Sequence, residues 1–238
     1  MSRRRVWAIF RKEIREYGRN RSIISGMAVL PLVFIIQPLV AVLRFSASAS
    51  GALSHEHVLL YMLGIPTLVP VFVAAYAVAG ERQQGTLEPA LTTPIRREEF
   101  LIGKALAALA PSLAIAYVVF ALFLGGVVLL AAPSVAPAVI QGPDLLAQVL
   151  FTPLLACWTI WVAIAISTRS SDVRVAQQLG ILASLPPVFA TVLIALDVIP
   201  PTIELAVACA AVLLIFDVLG WRIVSRLFDR ERLISSTR

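Results

Sequence analysis

The chain has 238 residues with a mean hydropathy of +0.90, and 59% of them are hydrophobic whereas 14% are charged. Soluble domains contain about 45–50% apolar residues, so this composition excludes an ordinary soluble protein and predicts one that is solvated by lipid. The formal net charge is +6, but the basic residues lie between apolar stretches rather than on one face of a compact domain, which argues against a nucleic-acid partner.

Six continuous apolar runs predict six membrane-spanning helices. Each run is long enough to cross about 30 Å of hydrocarbon at about 1.5 Å per residue, and the absence of polar-apolar alternation favours helices over a β-barrel. We predict an all-α integral membrane protein with an interface helix over 1–21, a transmembrane domain over 22–221 and a basic tail over 222–238. The predicted spans are 22–43, 58–79, 105–131, 147–167, 178–199 and 203–221.

The last two predicted spans are separated by a very short connection. Only Pro200, Pro201 and Thr202 divide them. They therefore form either a tight helical hairpin or a pair in which one member is partly re-entrant.

The distribution of basic residues predicts the orientation. Nineteen of the twenty Arg and Lys residues fall on one side of the predicted membrane, and only Arg44 falls on the other. Basic residues concentrate in cytoplasmic segments of membrane proteins. We therefore expect a multi-pass protein of the plasma (inner) membrane with cytoplasmic N- and C-termini and an even number of spans.

The segment before the first span has the periodicity of an amphipathic helix. Between Val6 and Tyr17, apolar residues recur at spacings of three and four, with Arg, Lys and Glu at other positions. Such a helix lies in the headgroup layer, with its arginines on anionic lipid. It can in addition form a docking surface for a cytoplasmic partner.

The loop between the second and third spans contains two signals for helix starts. Thr86 is suited to cap a short helix from Leu87 to Leu91, and Thr93 followed by Pro94 is a second start. Together they predict a coupling elbow of helix, turn and helix over 80–104. A solvated amphipathic loop without a mechanical role is the alternative.

The residues of this loop resemble a known family pattern. Glu81-Arg82-Gln83-Gln84-Gly85-Thr86-Leu87-Glu88, Thr93-Pro94-Ile95-Arg96-Arg97 and Gly103-Lys104 are similar to E-R-x-x-G-T-L-E, P-x-x-R and G-K in ABC-2 type transporter permeases. In that family the pattern follows the second of six spans, and an amphipathic helix precedes the first span.

The resemblance implies the membrane subunit of an ABC exporter. Two copies of a separate ABC ATP-binding protein would hold ATP and Mg²⁺, and a second, identical permease subunit would complete the transporter. The implied ATPase-coupling interface consists of Glu81, Gly85, Thr86, Leu87, Glu88, Pro94, Arg96 and Arg97. The implied interface helix contributes Trp7, Phe10 and Ile14.

No enzymatic centre is expected in the chain itself. A phosphate-binding loop needs G-x-x-x-x-G-K-[ST], whereas Gly103-Lys104 is preceded five residues earlier by Glu98 and followed by Ala105. The Ser54-His55-Glu56-His57 cluster contains potential metal ligands, but an exposed loop with two histidines is the simpler interpretation. We expect no catalytic residue, cofactor or metal in this chain.

The predicted spans place no charged residue near the middle of the membrane. The acidic residues that come closest are Asp197, Glu204 and Asp217, near predicted helix ends. This pattern argues against a proton-driven carrier, which needs a titratable relay, and favours a lipidic or amphipathic cargo. The alternatives to an exporter permease are a membrane scaffold that binds a cytoplasmic partner, and an autonomous channel or secondary carrier.

Overall fold

A computed structural model describes residues 2–44, 57–86 and 95–227. Within these ranges the structure is helical and contains no strand. A 3₁₀ helix, Val58–Leu63, precedes α3. The helices are α1 (Arg3–Tyr17), α2 (Arg21–Arg44), α3 (Gly64–Ala74), α4 (Ala79–Gln83), α5 (Arg97–Leu130), α6 (Ala136–Val139), α7 (Gly142–Arg169), α8 (Val173–Ala195) and α9 (Ile203–Leu227).

Six helical segments in the described part of the chain are long and apolar enough to cross a membrane. They are α2, the compound segment Val58–Gln83, α5, α7, α8 and α9. The predicted all-α fold with six transmembrane helices is confirmed.

The observed helix ends differ from several predicted boundaries. α5 begins at Arg97 rather than 105, and the backbone N–H of Arg96 donates to Glu99 Oε2 at 3.2 Å in its first turn. α8 ends at Ala195 rather than 199, in a turn where Asp197 adopts a φ of 55°. α9 continues to Leu227 rather than 221, so that Asp217 lies deeper inside its helix than the sequence suggested.

The second span, Val58–Gln83, occupies the centre of the bundle. Its α3 portion packs against α2, α5, α7 and α8, and Ile65, Val69 and Val73 are fully buried. The sixth span, α9, packs mainly against α7, and its residues Ile203 and Val207 remain exposed. The sites described below are built around the central span.

The central span is interrupted by a turn between α3 and α4. The hydroxyl of Ser167 on α7 accepts hydrogen bonds from the backbone N–H groups of Val78 at 3.1 Å and Ala79 at 2.9 Å, and donates to Ala75 O at 2.7 Å. Buried backbone polar groups need partners in an apolar interior. Ser167 thus supplies the bonds that the interrupted helix lacks.

The two ends of the bundle are joined by different polar contacts. At one end, named here the basic end, lie α1, α4 and the first turn of α5. At the opposite end His57 Nδ1 lies 2.8 Å from Asp144 Oδ1, and the His57 backbone N–H donates to Ala195 O at 3.0 Å. His57 therefore joins the second, fourth and fifth spans, while the other three members of the predicted cluster, Ser54, His55 and Glu56, lie outside the described residues.

Candidate functional site: a buried charge cluster at the base of the loop over 84–96

Four charged side chains from three helices meet at the basic end. Lys12 and Glu13 belong to α1, Glu81 belongs to α4, and Lys104 lies in the second turn of α5. We call these residues the charge cluster. They connect the helix before the first span to both segments that flank the loop over 84–96.

Lys104 is the centre of the charge cluster. Its Nζ lies 2.9 Å from Glu13 Oε1 and 3.0 Å from Glu81 Oε1. The side chain is only 1% exposed, and its ammonium group lies 4.9 Å from the centre of the Phe100 ring. A lysine this deeply buried requires paired carboxylates, because an isolated buried charge is strongly unfavourable.

The second cation, Lys12, completes the charge balance at the surface of the cluster. Lys12 Nζ lies 3.0 Å from Glu81 Oε1 and 3.4 Å from Glu13 Oε1. The Tyr17 hydroxyl donates to the other oxygen of Glu13, Oε2, at 3.0 Å. Glu13 is thereby held by two cations and one hydroxyl group.

These contacts shift the pKa values of the α1 groups. Burial opposes ionisation of Glu13, but Lys104, Lys12 and the Tyr17 hydroxyl hold the pKa of Glu13 below its usual value of 4.5. Burial likewise opposes the charge on Lys12, yet Glu13, Glu81 and Glu16 raise the pKa of Lys12 above its usual value of 10.5. Both groups are therefore charged at neutral pH and attract each other.

Gly85 explains why the central span stops beside the charge cluster. Its φ of +68° is in the left-handed region, where a glycine carries no steric penalty. The N–H of Gly85 donates to Arg82 O at 3.2 Å, and the N–H of Thr86 donates to Glu81 O at 2.9 Å. This pair of bonds is the Schellman motif that commonly ends helices.

Arg82 fastens the end of the central span to the end of the fourth span. Its guanidinium donates to Ser170 O at 2.9 Å and to Thr168 O at 3.2 Å, at the C-terminus of α7. Terminal helix carbonyls have no partner within their own helix and are suited to bind a cation. The Glu-Arg-x-x-Gly-Thr sequence thus combines an ion pair, a link between helices and a helix stop.

The first turn of α5 is tied to the start of α1. The Ser2 backbone N–H donates to Glu99 Oε1 at 2.6 Å, and Arg5 Nη1 lies 3.4 Å from Glu99 Oε2. A methyl group added at Gly103 would lie 2.7 Å from Ile9 Cγ2, so the glycine of the Gly-Lys pair permits the close approach of α1 and α5. Both residues of that pair therefore have a packing role.

The residues that face the core from α1 differ in part from the predicted interface residues. Val6, Ile9, Glu13 and Tyr17 are buried. Phe10 and Ile14 flank this row and pack partly against the core. Trp7 is 58% exposed and stacks on Phe10 with a ring separation of 4.8 Å.

The structure brings together only part of the predicted coupling interface. Glu81 enters the charge cluster, whereas Gly85 and Thr86 form the helix stop. Arg96 and Arg97 are exposed at the start of α5. Leu87, Glu88 and Pro94 lie outside the described residues, as does the predicted helix from Leu87 to Leu91.

Comparison with known proteins places the whole fold in a family. A family model described as ABC-2 family transporter protein matches residues 7–228 of the chain. The chain belongs to the ABC-2 transporter family. A search of curated proteins found no match.

Family membership makes the chain the membrane component of an ABC transporter and implies association with an ABC ATP-binding protein. In this permease the charge cluster lies at the base of the loop that carries the family-like pattern. The matched region begins at Trp7, so it contains all four residues of the charge cluster.

Sequence analysis missed Glu13, Lys12 and Tyr17 as partners of the loop and considered Lys104 only as part of the Gly-Lys pair. One signal was available, because Glu13 is four residues from both Ile9 and Tyr17 and shares their helix face. A carboxylate on an otherwise apolar face needs a cationic partner. No periodicity could have identified Lys104, which is 91 residues away.

The described residues contain no group of three or more His, Cys, Asp or Glu side chains arranged to hold a metal ion. The two cysteines, Cys157 and Cys209, are free and partly buried.

Proposed function

We propose that this permease is the membrane subunit of an exporter that uses ATP hydrolysed by a separate ABC ATP-binding protein. In this proposal two copies of that protein bind ATP and Mg²⁺, a second identical permease completes the transporter, and the chain has no ATPase activity of its own. The cargo is lipidic or amphipathic. The observation that carries the proposal is the charge cluster.

The charge cluster is suited to transmit force from the loop to the membrane spans. Glu81 precedes the loop, Lys104 follows it, and both bind the same α1 segment. A partner that pushes the loop therefore displaces α1, α4 and α5 together, because separating buried ion pairs is unfavourable. Arg82 and Ser167 carry the displacement to α7.

The proposed orientation has the basic end and both termini in the cytoplasm, where an ATP-binding protein could reach the loop. Gln84 is exposed at the basic end, and Ser134 is exposed between α5 and α6 at the opposite end. In a background without Cys157 and Cys209, Gln84→Cys should resist an impermeant thiol reagent added to intact cells. Ser134→Cys should react under the same conditions, and the reverse pattern would refute the orientation.

Reconstitution tests the division of labour. The permease alone in lipid vesicles should bind ATP no better than empty vesicles. Its co-encoded ATP-binding protein should co-purify with it, and vesicles that contain both proteins should show ATP-dependent transport of a fluorescent lipid analogue. ATP binding by the permease alone, or the absence of any ATP-binding partner, would contradict the proposal. The second result would favour a membrane scaffold.

A charge swap tests the role of the charge cluster. Lys104→Glu should uncouple ATP hydrolysis from transport, because it places three carboxylates together. Adding Glu13→Lys should restore part of the coupling, since the opposite charges face each other again. Arg226→Glu, at an exposed position of α9, serves as the control and should retain coupling. Full coupling in properly inserted Lys104→Glu would show that the charge cluster has no transmitting role.

One observation favours a second candidate, a proton-driven carrier. Asp217 lies inside α9, and its buried Oδ1 atom has no hydrogen-bond partner in the part of the chain that the structure describes. Ionisable residues inside membrane spans often belong to proton or ion pathways. Proton-driven uptake by the permease alone that is abolished by Asp217→Asn would establish this candidate, whereas ATP-driven transport that survives Asp217→Asn would eliminate it.

A further inference from the structure

A cleft of about 410 Å³ opens beside the charge cluster. Its walls come from the end of α1, the start of α2 and α4, including Glu16, Arg19, Arg21 and Glu81. This volume is within the range of roughly 300–1,000 Å³ that is typical of small-molecule sites. The ion pairs of the charge cluster are direct contacts between side chains and do not fill the cleft.

One wall of the cleft contains an acceptor without a partner. Glu81 is 4% exposed, and its Oε1 atom binds Lys12 and Lys104. Its Oε2 atom is buried and has no hydrogen-bond partner among the described residues. A buried carboxylate oxygen in this state is unfavourable unless a donor reaches it, and Glu81 lines the cleft.

The cleft carries charges of both signs on separate walls. Glu16 and Glu81 lie on α1 and α4, whereas Arg19 and Arg21 lie where α1 leads into α2. Within the described residues the guanidinium groups of Arg19 and Arg21 form no ion pair. The arrangement therefore suits a ligand with an anionic group and a cationic group a few bonds apart.

The position of the cleft indicates where such a ligand comes from. Arg21 is the first residue of α2, the first membrane span, so the cleft lies at the depth of lipid headgroups. Ile23 and Tyr76 add an apolar wall on the membrane side of the charged groups. Phospholipids are the zwitterions available at this depth.

We propose that the cleft binds the headgroup of a phospholipid with a primary ammonium group, such as phosphatidylethanolamine. Arg19 and Arg21 bind the phosphate, and Glu81 Oε2, together with Glu16, accepts hydrogen bonds from the ammonium group. A trimethylammonium headgroup has no N–H to donate to Glu81, so choline lipids bind more weakly. The bound headgroup thereby contacts the same carboxylate that pairs with Lys104 across the base of the loop over 84–96.

The selectivity can be measured without altering the protein. Full-length permease is exchanged into nanodiscs that contain phosphatidylethanolamine or its mono-, di- and trimethylated forms with identical acyl chains, and retained lipid is quantified by native mass spectrometry. Retention should fall stepwise with methylation, by about tenfold between the end members, as expected for the loss of charge-assisted hydrogen bonds. Equal retention across the series would overturn the proposal.

Three variants locate the site. Glu81→Gln should abolish the preference for the primary ammonium group, and Arg19→Gln with Arg21→Gln should lower retention of every lipid in the series by about tenfold. Arg15→Gln removes an exposed α1 charge that does not line the cleft, and it should leave both quantities unchanged. An equal loss in Arg15→Gln would show nonspecific attraction to the headgroup layer and refute the site.

Arg19 and Arg21 are exposed, so we expect their replacement to leave folding intact. The double arginine variant therefore still tests the site if Glu81→Gln fails to fold. Unchanged lipid retention in this variant would also refute the site. Cross-linking of Gln84→Cys to the ATP-binding protein, combined with equal retention of all four lipids, would assign the cleft to that protein instead.

Discussion

The second and sixth spans are almost equally hydrophobic, yet they occupy opposite environments. In the most apolar stretch of the second span, Val58–Gln83, 89% of the residues are buried, whereas in that of the sixth span, Ile203–Leu227, none is. The second span contacts α2, α5, α7 and α8, while the sixth packs mainly on α7. Hydropathy reports that a helix enters the membrane, but it cannot distinguish protein neighbours from lipid neighbours, because both are apolar.

The two spans also differ in how they treat polar groups. The second span is interrupted. Ser167 and Thr159 of α7 form hydrogen bonds with its backbone, and its own Arg82 donates to the end of α7. The sixth is one continuous helix whose Ser225 hydroxyl donates to Arg222 O within the same helix at 2.9 Å. The second span is therefore connected to the rest of the bundle, and changes in it should have larger effects.

The largest difference is expected in the charge cluster, where Lys104 of α5 pairs with Glu81 of the second span. Lys104→Met leaves Glu13 and Glu81 buried without their main cation and should lower the free energy of unfolding by about 3–5 kcal/mol. The matched change Arg226→Met on the sixth span should alter it by less than about 0.5 kcal/mol. Denaturant unfolding in mixed micelles measures both, and equal effects would show that Lys104 is not buried as described.

A steric substitution gives the next largest difference. Val69 in α3 is fully buried, whereas Val212 in α9 is 49% exposed. Val69→Trp overfills the centre and should cost about 3 kcal/mol, the upper end of the usual range for overpacking, while Val212→Trp extends into lipid at little cost. Thermal unfolding in detergent compares the pair, and a stable Val69→Trp protein would place the second span at the periphery.

A smaller difference is expected when a hydroxyl group that binds the second span is removed and compared with the removal of one on the sixth span. Ser167→Ala leaves the buried N–H groups of Val78 and Ala79 unpaired and should cost about 1.5 kcal/mol. Ser225→Ala removes only a local bond of a partly exposed residue within α9, and its effect should be near zero. Faster hydrogen exchange at Val78 and Ala79 in Ser167→Ala provides an independent measurement, and unchanged exchange would contradict the role of Ser167.

The smallest effect is expected from protonation of one carboxylate. The pKa of folded Glu13 is below its usual value of 4.5, so the stability that its charge provides is complete above pH 4.5 and is lost as the pH falls through the lower folded value. Below pH 4.5 the wild type should lose stability more steeply than Glu13→Gln. Glu204→Gln, at an exposed position of α9, should follow the wild-type profile. Parallel profiles for wild type and Glu13→Gln would contradict the Glu13 pairing.

The sequence by itself determined the membrane environment, the number of spans and the family. Apolar runs long enough to cross the membrane follow directly from composition, and the Glu-Arg-x-x-Gly-Thr pattern identified the family that the match over 7–228 established. The orientation and the coupling role remain predictions. Helix bounds shifted at Arg97, Ala195 and Leu227, because local capping and turn geometry, rather than hydropathy, decide where a helix ends.

Only the tertiary structure decided which residues meet. Glu13, Glu81 and Lys104 are separated by tens of residues in sequence, and they come together because α1 packs beside α5 at the end of the central span. The structure likewise decided that the second span is central and the sixth peripheral. Hydrophobic attraction to lipid and to protein has nearly the same strength inside a membrane, so specific packing and polar contacts, which depend on all helices at once, set that arrangement.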